Sequence, residues 1–184
     1  MAKTYTAPTT IAVGDALTAS LYNTYVGTNV ANLIVPPSLR LERGTTLSIA
    51  NGTDTLVTWP TEVFDTDGMY TAISDTITVQ TAGIYQINTT VEFSANTSGI
   101  RVVSLLKNPA SAGDGSSRLA STTVQATSSS GGNCVISCST IASLVATDTI
   151  KVHVYHSAGT AVNVASTGSP LQTNVSMAWI GRTS

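Results

Sequence analysis

The stretch that decides the fold is Ala82-Gly83-Ile84-Tyr85-Gln86-Ile87-Asn88-Thr89-Thr90-Val91-Glu92-Phe93. Its odd positions from Tyr85 to Phe93 are aromatic, aliphatic or β-branched, and its even positions from Gln86 to Glu92 are polar. This two-residue alternation predicts a strand with one buried face and one solvated face. At roughly 3.3 Å per residue the strand spans about 35 Å, the full height of a small sandwich.

The sequence from Pro37 to the C-terminus continues as short apolar or alternating runs separated by turn residues such as Asn51-Gly52 and Thr147-Asp148. Eight or more short strands without intervening helices indicate an antiparallel sandwich or jelly roll. We therefore predict an all-β antiparallel sandwich or jelly roll over residues 38–184; about ten strands and the jelly-roll form are what the family resemblance given below implies. Within it, the run from Arg101 to Lys107 is apolar on both faces, so we expect both of its faces to be covered.

Residues 1–37 follow a different pattern, which predicts an extended arm and one short helix. Residues 1–13 are rich in Thr and contain Pro8, as in an extended arm. Asp15 is a candidate N-cap, and Pro36-Pro37 would end the helix. Between them, apolar residues recur at spacings of three and four, the pattern of one helical face. We call this set the attachment stripe: Leu17, Leu21, Tyr22, Tyr25, Val26, Val30 and Leu33.

The attachment stripe has no second helix in the chain to cover it. The helix could fold back on its own domain, or it could bundle with copies of itself or dock on a larger body. We favour attachment, because a helix weakened by Gly27 and by several Thr and Asn residues needs a partner surface.

Composition narrows the partners that the chain could have. Only 10% of residues are charged, the formal net charge is -2, and the 8 basic residues form no patch, which argues against nucleic-acid binding. No apolar run approaches the length of a membrane span. The start, Met1 to Pro8, lacks the apolar core of a secretory signal, so we expect folding in a cytoplasm. A hydroxyl-rich surface of low charge suits a protein packed against neighbours.

Two cysteines and two histidines invite a zinc interpretation, which geometry disfavours. Cys134 and Cys138 lie four apart in an alternating run, which places them roughly 13 Å apart on one strand face. A disulfide requires Cα atoms within about 7 Å, and zinc requires sulfurs about 2.3 Å from the ion. His153 and His156 are separated by an odd number of residues and should face opposite sides of their strand. We predict two buried, reduced thiols and no zinc site.

Acidic residues offer two further interpretations. Asp65-Thr66-Asp67-Gly68 resembles the start of a calcium loop, but it lacks the downstream Glu that closes an EF-hand, so a tight turn is favoured and a calcium site stays open. A carboxylate pair for glycoside hydrolysis drawn from Glu62, Asp65 and Asp67 is formally possible. With no G-x-S-x-G motif, nothing positions a nucleophile and a base. We predict a protein that is not an enzyme and holds no cofactor.

The order of several degenerate motifs over residues 39–182 resembles the globular head of the complement first component and the related tumour-necrosis-factor-like jelly rolls. The motifs are Phe64-Asp65-x-x-Gly68-x-Tyr70, Ala82-Gly83-x-Tyr85, Leu105-x-Lys107-Asn108, Leu144-x-x-x-Asp148-x-Ile150-x-Val152 and Met177-Ala178-Trp179-Ile180-Gly181. The resemblance implies tight trimers of ten-stranded jelly rolls that bind partners on their outside. Unlike the animal proteins, this chain has no collagen-like stem.

The segment Val13-Gly14-Asp15-Ala16-Leu17-Thr18-Ala19, followed by Leu21-Tyr22-Asn23, is similar to the start of small structural proteins encoded among bacteriophage virion genes. This resemblance implies a structural virion protein, a capsid decoration or tail component, that is anchored through residues 1–37. The expected partners are two further copies of the chain and phage capsid or tail proteins. The sequence leaves capsid and tail open.

An alternative is a receptor- or glycan-binding adhesin carried on the virion, with a host-surface ligand. That function would require exposed aromatic residues at loop tips, for which Trp59, Tyr70 and Tyr155 are the candidates. A non-viral trimeric binding module is a third possibility. The core is expected to contain Tyr85, Phe93, Leu144, Val152 and Trp179.

Overall fold

The fold is taken from a computed structural model and is described for residues 3, 14, 16–126, 132–164 and 173–183. The N-terminal helix comprises α1 (Ala19–Tyr22), a π-helical turn (Asn23–Gly27) and α2 (Thr28–Ile34). The strands are β1 (Ser38–Arg43), β2 (Leu47–Ile49), β3 (Thr55–Leu56), β4 (Thr61–Asp65), β5 (Ile77–Thr78), β6 (Gly83–Phe93), β7 (Ile100–Lys107), β8 (Arg118–Gln125), β9 (Cys134–Leu144), β10 (Thr149–His156), β11 (Val162–Val164) and β12 (Thr173–Gly181). A short 3₁₀ turn, Gly115–Ser117, precedes β8.

The strands form two antiparallel sheets, and the prediction of an all-β jelly-roll sandwich is confirmed. The larger sheet has the order β2-β11-β6-β12-β1-β4, with β9 also paired to β6. The smaller sheet has the order β3-β10-β7-β8, with β5 also paired to β10. The described residues contain twelve strands where about ten were expected, and two of these, β3 and β5, are only two residues long.

Strand β6 is the stretch that the sequence singled out, and it lies inside the larger sheet. It pairs with β9 from Gly83 to Phe93 and with β12 on its other edge. Its odd-numbered side chains point into the core: four of them are fully buried, and Thr89 is 1% exposed. Thr89 keeps its hydroxyl satisfied by donating to the carbonyl oxygen of Asn174 at 2.8 Å. The alternation therefore predicted both the strand and its buried face correctly.

Four of the five residues predicted for the core, Tyr85, Phe93, Leu144 and Val152, have no exposed surface. Trp179 is the exception, because it is only partly buried against the core. The pairing of β12 with β6 shifts register between Trp179 and Gly181, at the end of the strand. There the Trp179 ring crosses the backbone at Gly83, where a Cβ atom would lie 1.9 Å from the indole nitrogen. Glycine at position 83 is what permits this contact.

Strand β7 is covered on both faces, as its sequence predicted. Val103 and Leu105 face the core with no exposed surface, and on the opposite face Ser104 and Leu106 are at most 1% exposed. This burial occurs within a single chain. The two-sided apolar pattern of this run therefore does not require a neighbouring copy to cover it.

The N-terminal helix begins three residues later than Asp15 predicted. Thr18 is the N-cap, and its side chain accepts a hydrogen bond from the Leu21 amide at 3.2 Å. The helix ends at Ile34, just before the two prolines, as expected. The arm, residues 1–13, lies outside the described residues except for Lys3, whose amide donates to the Thr81 hydroxyl at 2.8 Å. In the described part of the chain, no helix has the length and apolarity to cross a bilayer.

Replacing Phe93 by Ala tests the buried face of β6. We expect a loss of about 3–5 kcal/mol in the free energy of unfolding, because a fully buried aromatic ring is replaced by a cavity. Phe64, which lies on the edge strand β4 and is 43% exposed, is the matched control, and its change to Ala should cost far less. Denaturant unfolding of both variants measures the difference. Equal midpoints for the two variants would contradict the assignment of β6.

Candidate functional site

The Asp65 loop is a tight turn built around one carboxylate. Asp65 Oδ1 accepts hydrogen bonds from the amides of Asp67 and Gly68 at 3.0 and 2.8 Å, and Oδ2 accepts from the Tyr70 amide at 2.9 Å. Gly68 adopts a positive φ of 71°. These backbone donors occupy the oxygens that a calcium ion would need, which supports the turn interpretation.

Asp67 is fully buried beside this turn. Burial raises the pKa of its carboxyl, while a hydrogen bond from Thr81 and the positive charges at the N-terminus and Lys3 act in the opposite direction. Its burial separates it from the solvent-facing side of the turn. Among the described residues, no group of three His, Cys, Asp or Glu side chains could hold a metal ion.

The two cysteines lie as predicted on one face of β9, opposite Phe93 and Thr89 of β6. Both are free thiols, Cys138 being buried and Cys134 half-buried. Burial raises the pKa of both thiols, and at Cys134 the nearby Arg101 offsets part of that effect. A raised pKa disfavours the reactive thiolate.

The two histidines serve separate structural contacts on opposite faces of β10, as their spacing predicted. His153 Nε2 lies 2.7 Å from Asp54 Oδ1, and burial lowers the pKa of its imidazole although Asp54 acts against this effect. His156 Nδ1 accepts from the Ala158 amide at 3.3 Å, which leaves Nε2 to donate to the Ile49 carbonyl at 3.0 Å. These two contacts of His156 join β2 to the end of β10.

Two of the three aromatic residues that the adhesin alternative would need at exposed loop tips are buried. Trp59 has no exposed surface, Tyr70 is 9% exposed, and Tyr155 is half-buried. The Tyr70 hydroxyl donates to the Trp59 carbonyl, so the two rings belong to one buried cluster. Trp59 and Tyr70, which were candidates for exposed ligand-binding residues under the adhesin alternative, are therefore buried. Val57 and Trp59 are two residues apart and both are fully buried. This alternation was the sequence feature that could have placed Trp59 in the core.

The buried Asp148 carboxylate connects two sequence motifs, Leu105-x-Lys107-Asn108 and Leu144-x-x-x-Asp148-x-Ile150-x-Val152. Asp148 is 7% exposed and accepts from Lys107 Nζ at 2.8 Å, from Asn108 Nδ2 at 2.7 Å and from the Val145 amide at 2.8 Å. Asn108 Oδ1 in turn accepts from the Thr149 amide at 2.6 Å. Burial acts to raise the pKa of Asp148, but these contacts together hold it below its ordinary value. These residues join the end of β7 to the β9–β10 turn and have a structural role.

The side chains of the attachment stripe fall into a half-buried group and an exposed group. Leu21 and Tyr25 are half-buried, on the side of the helix where Asn29 is 8% exposed. The other five residues lie at the surface with exposures of 41 to 68%: Leu17, Tyr22, Val26, Val30 and Leu33. Ile34 and Val35, at the end of the helix, are also exposed. Large apolar side chains are therefore exposed on and beside the helix of residues 19–34.

A second apolar surface lies on the outward face of the larger sheet. Ile141, toward the C-terminal end of β9, is 63% exposed and lies opposite Gln86 of β6. Ile180 on β12 is 51% exposed and Val135 on β9 is 38% exposed. The side chains between them are small or uncharged, such as Ser139. The same outward face also carries Glu92, which lies opposite Val135, and the Arg40–Glu42 ion pair of β1.

A cavity of about 340 Å³ lies where the N-terminal helix meets the end of the jelly roll. Its wall includes Asn29 and Leu33 from the helix, Thr81 before β6, Trp179 from β12, and Lys3 and Arg182 near the two termini. No sequence pattern indicates this cavity, because its lining residues come from separate parts of the chain.

Comparison with known proteins identifies the fold. No family model matches the sequence, and no curated protein matches it. Among solved structures, murine APRIL at pH 5.0 is similar with a TM-score of 0.58 and 18% identity, covering 78% of this chain and 98% of that one. The globular domain of zebrafish complement 1qA protein is similar with a TM-score of 0.56 and 14% identity, covering 80% of this chain and 99% of that one. The chain thus has the jelly-roll fold of the tumour-necrosis-factor-like and complement-head domains.

Replacing Asp148 by Ala should cost about 2–3 kcal/mol of stability near neutral pH, because hydrogen bonds to a charged, buried group are lost. A depressed carboxyl pKa stabilises the fold above the unfolded value of about 3.9, and this contribution is lost as the pH falls through the folded pKa. The difference between wild type and variant should therefore shrink on acidification. Glu62→Ala, at an exposed position, is the control. Denaturant unfolding that shows a difference growing with acidity would refute this role.

Proposed function

We propose that this chain is a non-enzymatic structural protein of a bacteriophage virion, a capsid decoration or tail component that forms trimers on the particle surface. The exposed attachment stripe carries the proposal. The jelly roll has a complete core of its own that begins at Leu39 and contains no residue of the N-terminal helix. The helix nevertheless exposes large apolar side chains, which are stabilised only by contact with a further surface.

The virion part of the proposal is supported by the sequence around Val13 to Asn23, which resembles the start of phage structural proteins. The fold supports a binding or packing role, because jelly rolls of this kind present outer surfaces to partners. The titratable residues of the described chain support the same class: the Asp65, Asp148, His153 and His156 side chains each hold backbone or loops in place. Because these side chains are engaged in structural contacts, they are poor candidates for catalytic acids, bases or nucleophiles.

The trimeric state is supported by the outward face of the larger sheet, where Ile141, Ile180 and Val135 are exposed. Three copies around an axis could each cover such a face, as in cyclic oligomers. The coverage of β7 within a single chain removes one reason to expect a trimer, so the proposal rests on the β6–β9–β12 face and on the fold.

An adhesin that binds a host receptor or glycan is the alternative function. The burial of Trp59 and Tyr70 removes two of the three aromatic side chains on which a glycan site at the loop tips would depend. The structural role on the particle is therefore the better-supported function. Capsid and tail remain equal candidates for the body beneath.

Trimer formation can be measured on residues 38–184 by light scattering, where we expect three times the mass of one chain. Ile141→Asp should produce monomers, because three carboxylates would be buried in the interface. Val145→Asp is the matched control, since Val145 is 57% exposed but lies in the turn after β9, and this variant should remain trimeric. A stable monomer for the parent protein at micromolar concentration would refute the trimer.

Attachment can be tested by removing residues 1–35. The jelly roll should remain folded, because its core lies beyond them, while incorporation into particles should be lost. In the full chain, Val26→Asp with Val30→Asp should reduce incorporation at least about tenfold, since two charges would enter the docking surface.

The control for this variant is Ser20→Asp with Thr24→Asp, which adds the same charge at exposed polar positions of the same helix. It should be incorporated like wild type. Quantitative gel analysis of purified particles gives the stoichiometry. Truncated protein at wild-type stoichiometry would place the anchor in the jelly roll, and unfolding of the truncated protein would make the helix part of the core.

A further inference from the structure

His153 is buried on the face of the smaller sheet that points away from the core. Its neighbours along β10, Val152 and Val154, belong to the core, so alternation turns the His153 side chain to the outer face. There it lies opposite Leu56 of β3 and Ser104 of β7. His153 is nevertheless only 1% exposed, so other parts of the chain cover its ring.

The β2–β3 loop supplies part of this cover through Asp54. Asp54 Oδ1 lies 2.7 Å from His153 Nε2, and the Asp54 side chain is 48% exposed whereas that of His153 is 2% exposed. Gly113, in the β7–β8 loop, lies against the same carboxylate, because a Cβ atom there would come within 2.7 Å of Asp54 Oδ2. The Asp54 carboxylate therefore connects two loops to the imidazole.

The contact with Asp54 fixes which ring nitrogen of His153 carries the hydrogen. An ionised carboxylate only accepts hydrogen bonds, so Nε2 is the donor. In the neutral ring Nδ1 is then an acceptor, and it is buried with no hydrogen-bond partner among the described residues. Protonation would place a charged N–H group at Nδ1 without an acceptor, which is unfavourable for a buried group.

The carboxylates of the neighbouring loops have partners of their own. Asp75, in the loop before β5, pairs with Lys151 of β10 at 3.1 Å. Asp114, in the β7–β8 loop, accepts hydrogen bonds from amides and hydroxyls of that same loop. Neither of these carboxylates contacts His153 Nδ1.

Burial and charge together oppose an imidazolium at this position. Burial is the largest effect and lowers the pKa of His153, and the positive charge of Arg118 at the start of β8 acts in the same direction. The hydrogen bond and the charge of Asp54 act the opposite way without outweighing burial. The facing residues on β7 and β3, Ser104 and Leu56, carry no charge. The neutral ring therefore contributes stability above the ordinary histidine value of about 6.5, and this contribution is lost as the pH falls through the lower folded value.

We propose that His153 is an acid-sensitive latch, whose protonation releases the Asp54 loop and the adjoining β7–β8 loop from the outer face of the smaller sheet. The Nδ1–H group of a protonated ring reaches water only when the cover above it opens. Strand β3 is two residues long and pairs with β10 only at His153 and Val154, so little pairing opposes the movement. The core lies on the other face of the sheet and stays packed. This inference does not depend on the attachment function.

A second histidine contacts the same loop and has to be separated from the first. His156 Nε2 donates to the Ile49 carbonyl at 3.0 Å, and the Gly52 amide donates to the His156 carbonyl at 2.9 Å. Substitution of His153 alone leaves these contacts in place. An acid response that survives in such a variant therefore does not come from His153.

The test is an NMR titration of the full chain, isotope-labelled, that follows the His153 ring and the backbone of the two loops. We expect the ring to titrate below about 6.5. With the same midpoint, the backbone order parameters of residues 53–55 and of Gly113 should fall from about 0.85 to below about 0.6. The amides of β6 are the internal reference and should not change. In His153→Gln, whose side chain carries no titrating group, the loops should show no such transition.

Arg118→Gln provides a second measurement at an exposed position, where the fold is not at risk. It removes the positive charge that opposes the imidazolium, so the midpoints of the ring and of the loops should both shift upward. Arg40→Gln is the matched control, because Arg40 pairs with Glu42 on the larger sheet, and it should leave both midpoints unchanged.

Several results would overturn the latch. They are a wild-type ring that titrates at or above about 6.5, loops that stay ordered when the ring is protonated, and loss of β6 signals together with those of the loops. The same loop transition in His153→Gln would also overturn it. If His153→Gln does not fold, the joint shift of ring and loops in Arg118→Gln decides, and a shift of the ring alone would refute the proposal.

Discussion

Strand β6 is paired along both edges, and the side chains of its inner face are buried against the smaller sheet. It pairs with β9 over its full length and with β12 on the other side. Since side chains alternate between faces, a one-residue slip in this register would move Gln86, Asn88 and Glu92 toward the core and Tyr85 and Phe93 toward solvent. The cost of that exchange fixes the register of the larger sheet. The outward positions of Ile141 and Ile180 follow from the same register.

Only 10% of the residues are charged. Two of the carboxylates among them stabilise turns between strands through hydrogen bonds. Asp65 binds three backbone amides of its own turn, and Asp148 joins the end of β7 to the β9–β10 turn. Buried amides need acceptors, and a carboxylate is a strong one. The motifs that resemble the complement-head and tumour-necrosis-factor-like domains thus include residues that close loops, in keeping with a shared fold at low sequence identity.

The sequence predicted those features that depend on local periodicity. The strand and buried face of β6, the shared face of the cysteines and the opposite faces of His153 and His156 all follow from a period of two, which any strand must obey. The burial of both histidines could not be predicted, because it depends on loops that reach them, such as the one that carries Asp54.

Features that depend on irregular backbone or on distant contacts were missed. The π-helical turn at Asn23–Gly27 inserts a residue into the helical repeat, so the spacing of the attachment stripe does not describe a single face. Trp179 looked like core from its alternation, but the register shift at the end of β12 leaves it at the wall of a cavity. That cavity exists only because the helix, Lys3 and Arg182 meet there, which no local pattern encodes.

The proposed autonomy of the jelly roll and the proposed dependence of the helix on a partner can be measured together by hydrogen exchange, on the free chain and on the chain in purified particles. Free helices of this length with few buried contacts open readily, whereas amides in a packed sheet exchange slowly. Amides of residues 19–34 should exchange quickly in the free protein and become strongly protected in particles, while β6 stays protected in both. Equal protection of the helix in the two states would contradict its proposed role as the attachment element.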